Sequence, residues 1–325
     1  MGDTTTPPKA VIKDLHPVIA EILNTKFNTG YDILQNVNAY RYLLDEMINI
    51  TAFSEAEGIE TCDVTLVPDD LPGFVLRIYD AEPDRIKPVL VYFHGGNWIA
   101  GNLQTSDAVC RTFAEASGCA VISVDYALAP EHHFPIPVYQ GLAVINWIKR
   151  QGHYYGINYH KIVIGGDNAG GNIAAGLIHL LNQKKSVKPI GQLLICPALQ
   201  YCFDTPSYNE YAQGCMISKE QMQYSWQAYL GDKGDGNNKL ASPFLATDLK
   251  HIPASLIFTA GHDPLRDEAE LYALRLKNAG VPVFAHRFKS VTHHFWLMDG
   301  ILNISRRAQR EAIEWLIEIS ESSEV

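Results

Sequence analysis

Apolar residues recur at helical spacing near the start of the chain. Ile12, Leu15, Val18, Ile19, Ile22 and Leu23 make one series, and Tyr40, Leu43, Leu44, Met47 and Ile48 a second. Each marks one apolar face of a helix. From about residue 61 the period changes. Val64-Thr65-Leu66-Val67 and Phe74-Val75-Leu76-Arg77-Ile78-Tyr79 read as strands, with the turn formers Pro68 and Leu71-Pro72-Gly73 between them. Short apolar runs then alternate with helical segments. The runs fall at 89–93, 120–124, 162–164, 192–195, 255–258 and 283–285, and the helices at 138–149, 171–181, 267–278 and 305–319. Strands that show no inside/outside alternation and are separated by helices belong to a mostly parallel sheet covered on both faces. The expected class is therefore α/β, with a central sheet flanked by helices. The stretch from about 201 to 238 interrupts the rhythm with one helix, 219–230, and reads as an insertion. No internal repeat or low-complexity tract divides the chain. The expected organisation is one domain, 1–325, with a core of 61–200 and 239–325 and helical additions at 1–60 and about 201–238.

Charge narrows the partners. Against 26 Lys and Arg stand 36 Asp and Glu, a net charge of −10. This argues against a nucleic-acid backbone or an anionic membrane surface as the main partner. The six cysteines form no C-x-x-C pair and no Cys/His cluster with zinc spacing, so they are expected to be free and mostly buried, and no metal is expected. No stretch approaches the roughly 18 apolar residues of a membrane span. Met1 to Thr6 lacks the basic and apolar regions of a secretory leader. A cytoplasmic protein acting on a small molecule is the expectation, with no cofactor and with a homodimer left open.

Four segments carry chemistry, and each follows a predicted strand, where open α/β sheets bind ligands. His94-Gly95-Gly96-Asn97-Trp98 follows the run ending at Phe93, and its glycines let backbone N–H groups approach an oxyanion. Gly166-Asp167-Asn168-Ala169-Gly170 leads from a strand into an Ala/Gly-rich helix. It has the frame of the G-x-S-x-G nucleophile elbow, with Asn168 at the serine position. Asn tolerates positive φ better than most residues, so the turn can persist. Gly261-His262-Asp263-Pro264-Leu265-Arg266-Asp267 places Asp263 where a triad acid belongs and Asp267 at a helix N-cap. Val291-Thr292-His293-His294-Phe295 supplies a histidine about 30 residues later, giving the chain order nucleophile, acid, histidine.

Together these segments resemble the hormone-sensitive-lipase-like branch of the α/β-hydrolases, and within it bacterial acetyl esterases. H-G-G-G-[FW] is matched by His94 to Trp98, and Y-R-L-A-P-E by Tyr126-Ala127-Leu128-Ala129-Pro130-Glu131. G-D-S-A-G-G is matched by Gly166 to Gly171, D-P-L-x-D-E by Asp263 to Glu268, and H-G-F by His293 to Phe295. The resemblance covers about 61–325. It implies an α/β-hydrolase fold with a helical cap built from 1–60 and about 201–238. It also implies a short-chain carboxylic ester hydrolase with a Ser/His/Asp mechanism. On this chain the site residues are Asn168, Asp263 and His293, with Gly95, Gly96 and Ala169 as the oxyanion hole. Trp98, Tyr126, Phe295 and Trp296 are candidates to line an apolar pocket.

Three departures from the pattern limit what carries over: Asn97 for glycine, Asn168 for serine and His294 for glycine. A carboxamide is not a nucleophile for acyl transfer. Loss of the serine in such an enzyme lowers kcat roughly a million-fold. Hydrolysis by this chain is therefore expected to be nearly absent. The sequence leaves open a serine esterase carrying a Ser→Asn change and a small-molecule binding protein. It also leaves open a lyase or cyclase that uses His293 and Asp263 as a base beside the oxyanion hole. Deamidation of Asn168 to an Asp nucleophile is disfavoured by Ala169 at the next position.

Overall fold

The computed structural model describes residues 14–25, 36–56 and 58–322. Ile12 of the first apolar series and the start Met1 to Thr6 lie outside them. The described residues form one eight-stranded sheet in the order β1-β2-β4-β3-β5-β6-β7-β8. Its strands are β1 (Glu60–Leu66), β2 (Phe74–Asp80), β3 (Lys87–Phe93), β4 (Ala120–Asp125), β5 (Ile157–Asp167), β6 (Gly191–Ile195), β7 (Ala254–His262) and β8 (Val283–Thr292). β2 pairs antiparallel with β1 and β4, and every pairing from β4 through β8 is parallel. The mostly parallel sheet expected from the apolar runs is present, and β5 and β8 extend beyond the runs that announced them.

Two hydrophobic layers cover the sheet, and successive strand residues alternate between them. Val89, Val91 and Phe93 of β3 enter one layer, and Leu90 and Tyr92 the other. The first layer holds Val144 and Ile145 of the helix Ile136–Gln151, Ile173 and Leu177 of Ala169–Gln183, and Tyr272 of Arg266–Asn278. The second holds Val109 and Phe113 of Asp107–Ser117 and Ala312 and Leu316 of Asn303–Ser322. This double cover is why the strands read as apolar runs without alternation. The helix Lys219–Leu230 lies where the insertion predicted it, closed by a capping box between Ser218 and Gln221. The N-terminal helices Pro17–Ile22 and Val37–Thr51 bury Ile19, Leu44, Met47 and Ile48 in the second layer. No helix among the described residues is long and apolar enough to cross a membrane.

Candidate active site

The parallel strands end on one side of the sheet, and the residue after each end faces the same place. β3 ends before His94, β5 before Asn168, β6 before Cys196, β7 before Asp263 and β8 before His293. Five residues here hold positive φ although none is glycine: Asn97 (56°), Trp98 (60°), Asn168 (50°), Cys196 (44°) and His294 (51°). Such conformations cost energy in L-residues and persist only where the surroundings over-determine them.

Asn168 occupies the strained elbow at φ 50°, ψ −114°, at the N-cap of Ala169–Gln183. Its amide donates to Ile195 O at 2.8 Å, and its carbonyl accepts from Asn172 N at 3.2 Å, so sheet and helix together hold the turn. The side-chain oxygen accepts from Asn97 N at 2.7 Å, whereas Nδ2 is buried with no partner among the described residues.

His293 and Asp263 meet as expected. Nδ1 of His293 lies 2.7 Å from Asp263 Oδ2, and both side chains are 1% exposed. The carboxylate fixes the ring hydrogen on Nδ1 and leaves the lone pair on Nε2. Asp263 Oδ1 accepts from Leu265 N at 2.9 Å, which locks the acid in place. His294 makes no such contact with Asp263. Its ring stands nearly perpendicular to His293, centroids 4.7 Å apart, and burial pushes its pKa well down, with His293 adding to the shift. Cys196, one of the buried free cysteines, joins the pair. Its sulfur, one Asp263 oxygen and one His293 nitrogen all lie within 4.8 Å of one another. Such donors can hold a metal, but here the carboxylate already serves the imidazole and the Leu265 amide.

Four expectations need correction. Gly95 does not offer its amide to residue 168, because that N–H donates to Asp167 Oδ1 at 3.0 Å. The amide that meets the 168 side chain is that of Asn97. Phe295 and Trp296 are packed among core aromatics. Phe295 packs on Phe288, and Trp296 packs between Phe113 and Phe258, both in the second layer of the core. Asp267 is no N-cap: it sits in the first turn, where its carboxylate accepts from Ser207 N and Arg266 Nε.

Trp98 is fully buried, stacked on Tyr229 at 4.6 Å and tilted against Trp226 at 4.5 Å. This joins the loop after β3 to the inserted helix. Tyr126 stacks on His94 at 4.3 Å and donates to His94 O at 2.8 Å. His94 Nδ1 lies 2.8 Å from Gly95 O, and burial pushes the His94 pKa down to about 4. A neutral His94 thus braces the loop. A cleft of ≈ 1000 Å³ among Lys149, Tyr159, Lys161, Lys185 and Lys188 lies away from all of these residues, toward the start of β5.

The sequence also gave no sign of Asp167's part. Trp296 Nε1 donates to Tyr92 OH (3.0 Å), Tyr92 OH donates to Asp167 Oδ1 (2.7 Å), and the same oxygen receives the Gly95 amide. Burial pushes the Asp167 carboxyl from 3.8 up to about 6, against the lowering effects of Tyr92, His293 and Gly95. The folded chain therefore holds this proton more tightly than the unfolded chain. That contribution to stability is complete below pH ~4 and is lost as pH rises through ~6, about 3 kcal/mol in all. Asp167→Asn keeps an acceptor for Tyr92 and Gly95 and cannot ionise. The difference in unfolding free energy between variant and parent, from urea titrations at several pH values, should grow in the variant's favour from pH 4 to 7. A flat difference would show that Asp167 titrates alike in both states.

Comparisons with known proteins bear on the family and the fold. A profile described as the α/β-hydrolase fold matches residues 90–297. An arylesterase of Saccharolobus solfataricus is 36% identical over 239 residues, 73% of this chain and 77% of that protein. A carboxylesterase of Mycobacterium tuberculosis is 30% identical over 294 residues, 89% of this chain and 91% of that one. Among solved structures, a thermostable esterase from Pseudomonas putida superposes with a TM-score of 0.89 at 27% identity, covering 96% of this chain and 99% of that one.

Proposed function

This chain belongs to the α/β-hydrolase family, in its acetyl-esterase-like branch, and on that premise we propose that the buried cluster is a carboxylic-ester site in which Asp263 and His293 are acid and base. Residue 168 stands at the nucleophile's position. The observation that carries this reading is the 2.7 Å His293–Asp263 pair, set beside an elbow residue whose side-chain oxygen lies 2.7 Å from the Asn97 amide. That oxygen marks where the oxyanion of a tetrahedral intermediate would sit. Asn97 N–H then takes the role expected of Gly95, beside the amides of Gly96 and Ala169. A serine hydroxyl at 168 would attack the acyl carbon while His293 Nε2 took its proton and Asp263 stabilised the imidazolium. Asn168 has no hydroxyl, so ester hydrolysis by this chain is residual. The esterase relatives support a carboxylic ester as the substrate class, and the proposal takes the acyl chain to be short.

The helix Val37–Thr51 and the segment about 201–238 act as a cover over the site. Tyr40 supports this from one side through Asn97, and Trp226 and Tyr229 from the other through Trp98. The test is the hydrolysis of short p-nitrophenyl esters by Asn168→Ser. A folded variant with no gain over the parent would overturn the assignment.

A further inference from the structure

Asn97, Asn168 and His294, three departures from the motif pattern, all follow the carboxyl ends of parallel strands, and the first two are in direct contact. Asn97 N donates to Asn168 Oδ1, and His294 packs against His293. All three adopt left-handed φ, where Asn and His are better tolerated than most residues. The Asn97 amide can donate only to an oxygen, so it fixes the Asn168 carboxamide with Nδ2 as its free half. That Nδ2 is buried without a partner among the described residues. On Asn97 itself, Nδ2 donates to Tyr40 OH at 3.0 Å, and Oδ1 is buried without a partner among the described residues. One unsatisfied donor and one unsatisfied acceptor thus sit on two residues in direct contact. Each is costly to leave unpaired. A ligand that brings an acceptor to one and a donor to the other satisfies both.

We propose that, with Asn168 in place, the site takes a β-hydroxy carbonyl compound and removes water from it. This rests on the His293–Asp263 assignment made above, and not on ester hydrolysis. Asn168 Nδ2 donates to the carbonyl oxygen, and Asn97 Oδ1 accepts from the β-hydroxyl. The carbon between the two anchored groups carries the acidic hydrogen. His293 Nε2 removes that proton, and the C–H electron pair passes into the enolate, whose oxygen Asn168 stabilises. As the enolate collapses, the C=C bond forms and the β C–O bond breaks. The imidazolium returns its proton to the departing hydroxide, so the products are an enone and water and the side chains are restored. No oxidant, reductant or co-reactant enters.

The experiment gives the purified chain a phenyl-substituted β-hydroxy ketone. It follows the enone by near-ultraviolet absorbance and, in D2O, deuterium at the carbon beside the carbonyl by NMR. The parent is expected to form enone and to exchange deuterium at that carbon. Asn168→Ala is expected to slow both on the order of 10²-fold, as for loss of one oxyanion donor. Asn97→Gly, which keeps the backbone amide and removes the acceptor, should slow enone formation more than exchange. His293→Ala should abolish both, and His293→Gln serves if the alanine variant does not fold. Exchange no faster than in buffer, or rates unchanged in Asn168→Ala, overturns the proposal. Asn168→Ser separates it from the ester reading. Gained hydrolysis with no dehydration by the parent sinks this inference alone, whereas dehydration by the parent with no hydrolysis by Asn168→Ser sinks the ester reading alone.

Discussion

Asn168→Ser is expected to raise hydrolysis of a short p-nitrophenyl ester on the order of 10³-fold or more over the parent. Serine is smaller than asparagine, so the change introduces no clash at a residue that is almost wholly buried. The elbow does not depend on the carboxamide. It is held by the bonds of the 168 backbone to Ile195 and Asn172, and by glycines at 166 and 170 whose positions admit no Cβ. Removing the carboxamide also frees the Asn97 amide, which Asn168 Oδ1 now occupies, to receive the substrate's carbonyl oxygen. A good leaving group makes small demands on the acid step, so the assay reports mainly on nucleophile, base and oxyanion donors. Adding His293→Ala to Asn168→Ser should return the rate to the parent level, because a serine without its base is a poor nucleophile. Asn168→Ala separates the two effects of the substitution. It too vacates the Asn97 amide, and a gain as large as that of the serine variant would show that the hydroxyl is not the attacking group.

What the sequence disclosed and what it hid divide along physical lines. β3 to β7 were legible because burial on both faces makes the core of a strand an unbroken apolar run, whereas the edge strand β8 is half exposed and was announced only by Val283-Phe284-Ala285. Asp263, His293 and residue 168 were legible because each follows such a run in a fixed chain order. The helix Asp107–Ser117 escaped notice, since only Val109, Cys110, Phe113 and Ala114 mark its buried face and Ser106 makes no side-chain cap bond. The error at Gly95 has a different origin. A backbone amide has no signature of its own, and which of three consecutive amides faces residue 168 is decided by Asp167 reaching across from β5. Phe295 and Trp296 misled because aromatic residues beside a site histidine look alike whether they line a pocket or point into the core. The meeting of Cys196 with Asp263 and His293 is a property of strand order, which places β6, β7 and β8 side by side. No local pattern records it.

Gly170→Ala is expected to be the most destabilising single change near the site, at about 4 kcal/mol or more. A Cβ there would lie 1.8 Å from Phe93 O, 2.4 Å from Phe93 C and 2.6 Å from His94 O. All three are backbone atoms at the end of a central strand, so no rotamer change relieves the contact. Alanine favours a helix over glycine by about 1 kcal/mol, and that gain is too small to matter here. Gly118→Ala is the control. Gly118 sits at the C-cap of Asp107–Ser117 with φ +65° and has nothing within 4 Å of an added Cβ. That substitution carries only the left-handed penalty, roughly 1–2 kcal/mol. Urea unfolding of both variants measures the contrast, and equal losses would refute the steric account. The same contact ties stability to chemistry. Because the helix after residue 168 rests directly on the end of β3, Gly170 sets how closely Asn168 approaches the loop carrying the Asn97 amide. A Gly170→Ala variant rescued by low temperature should therefore show weaker oxyanion stabilisation in the Asn168→Ser background, read as a lower kcat with little change in KM.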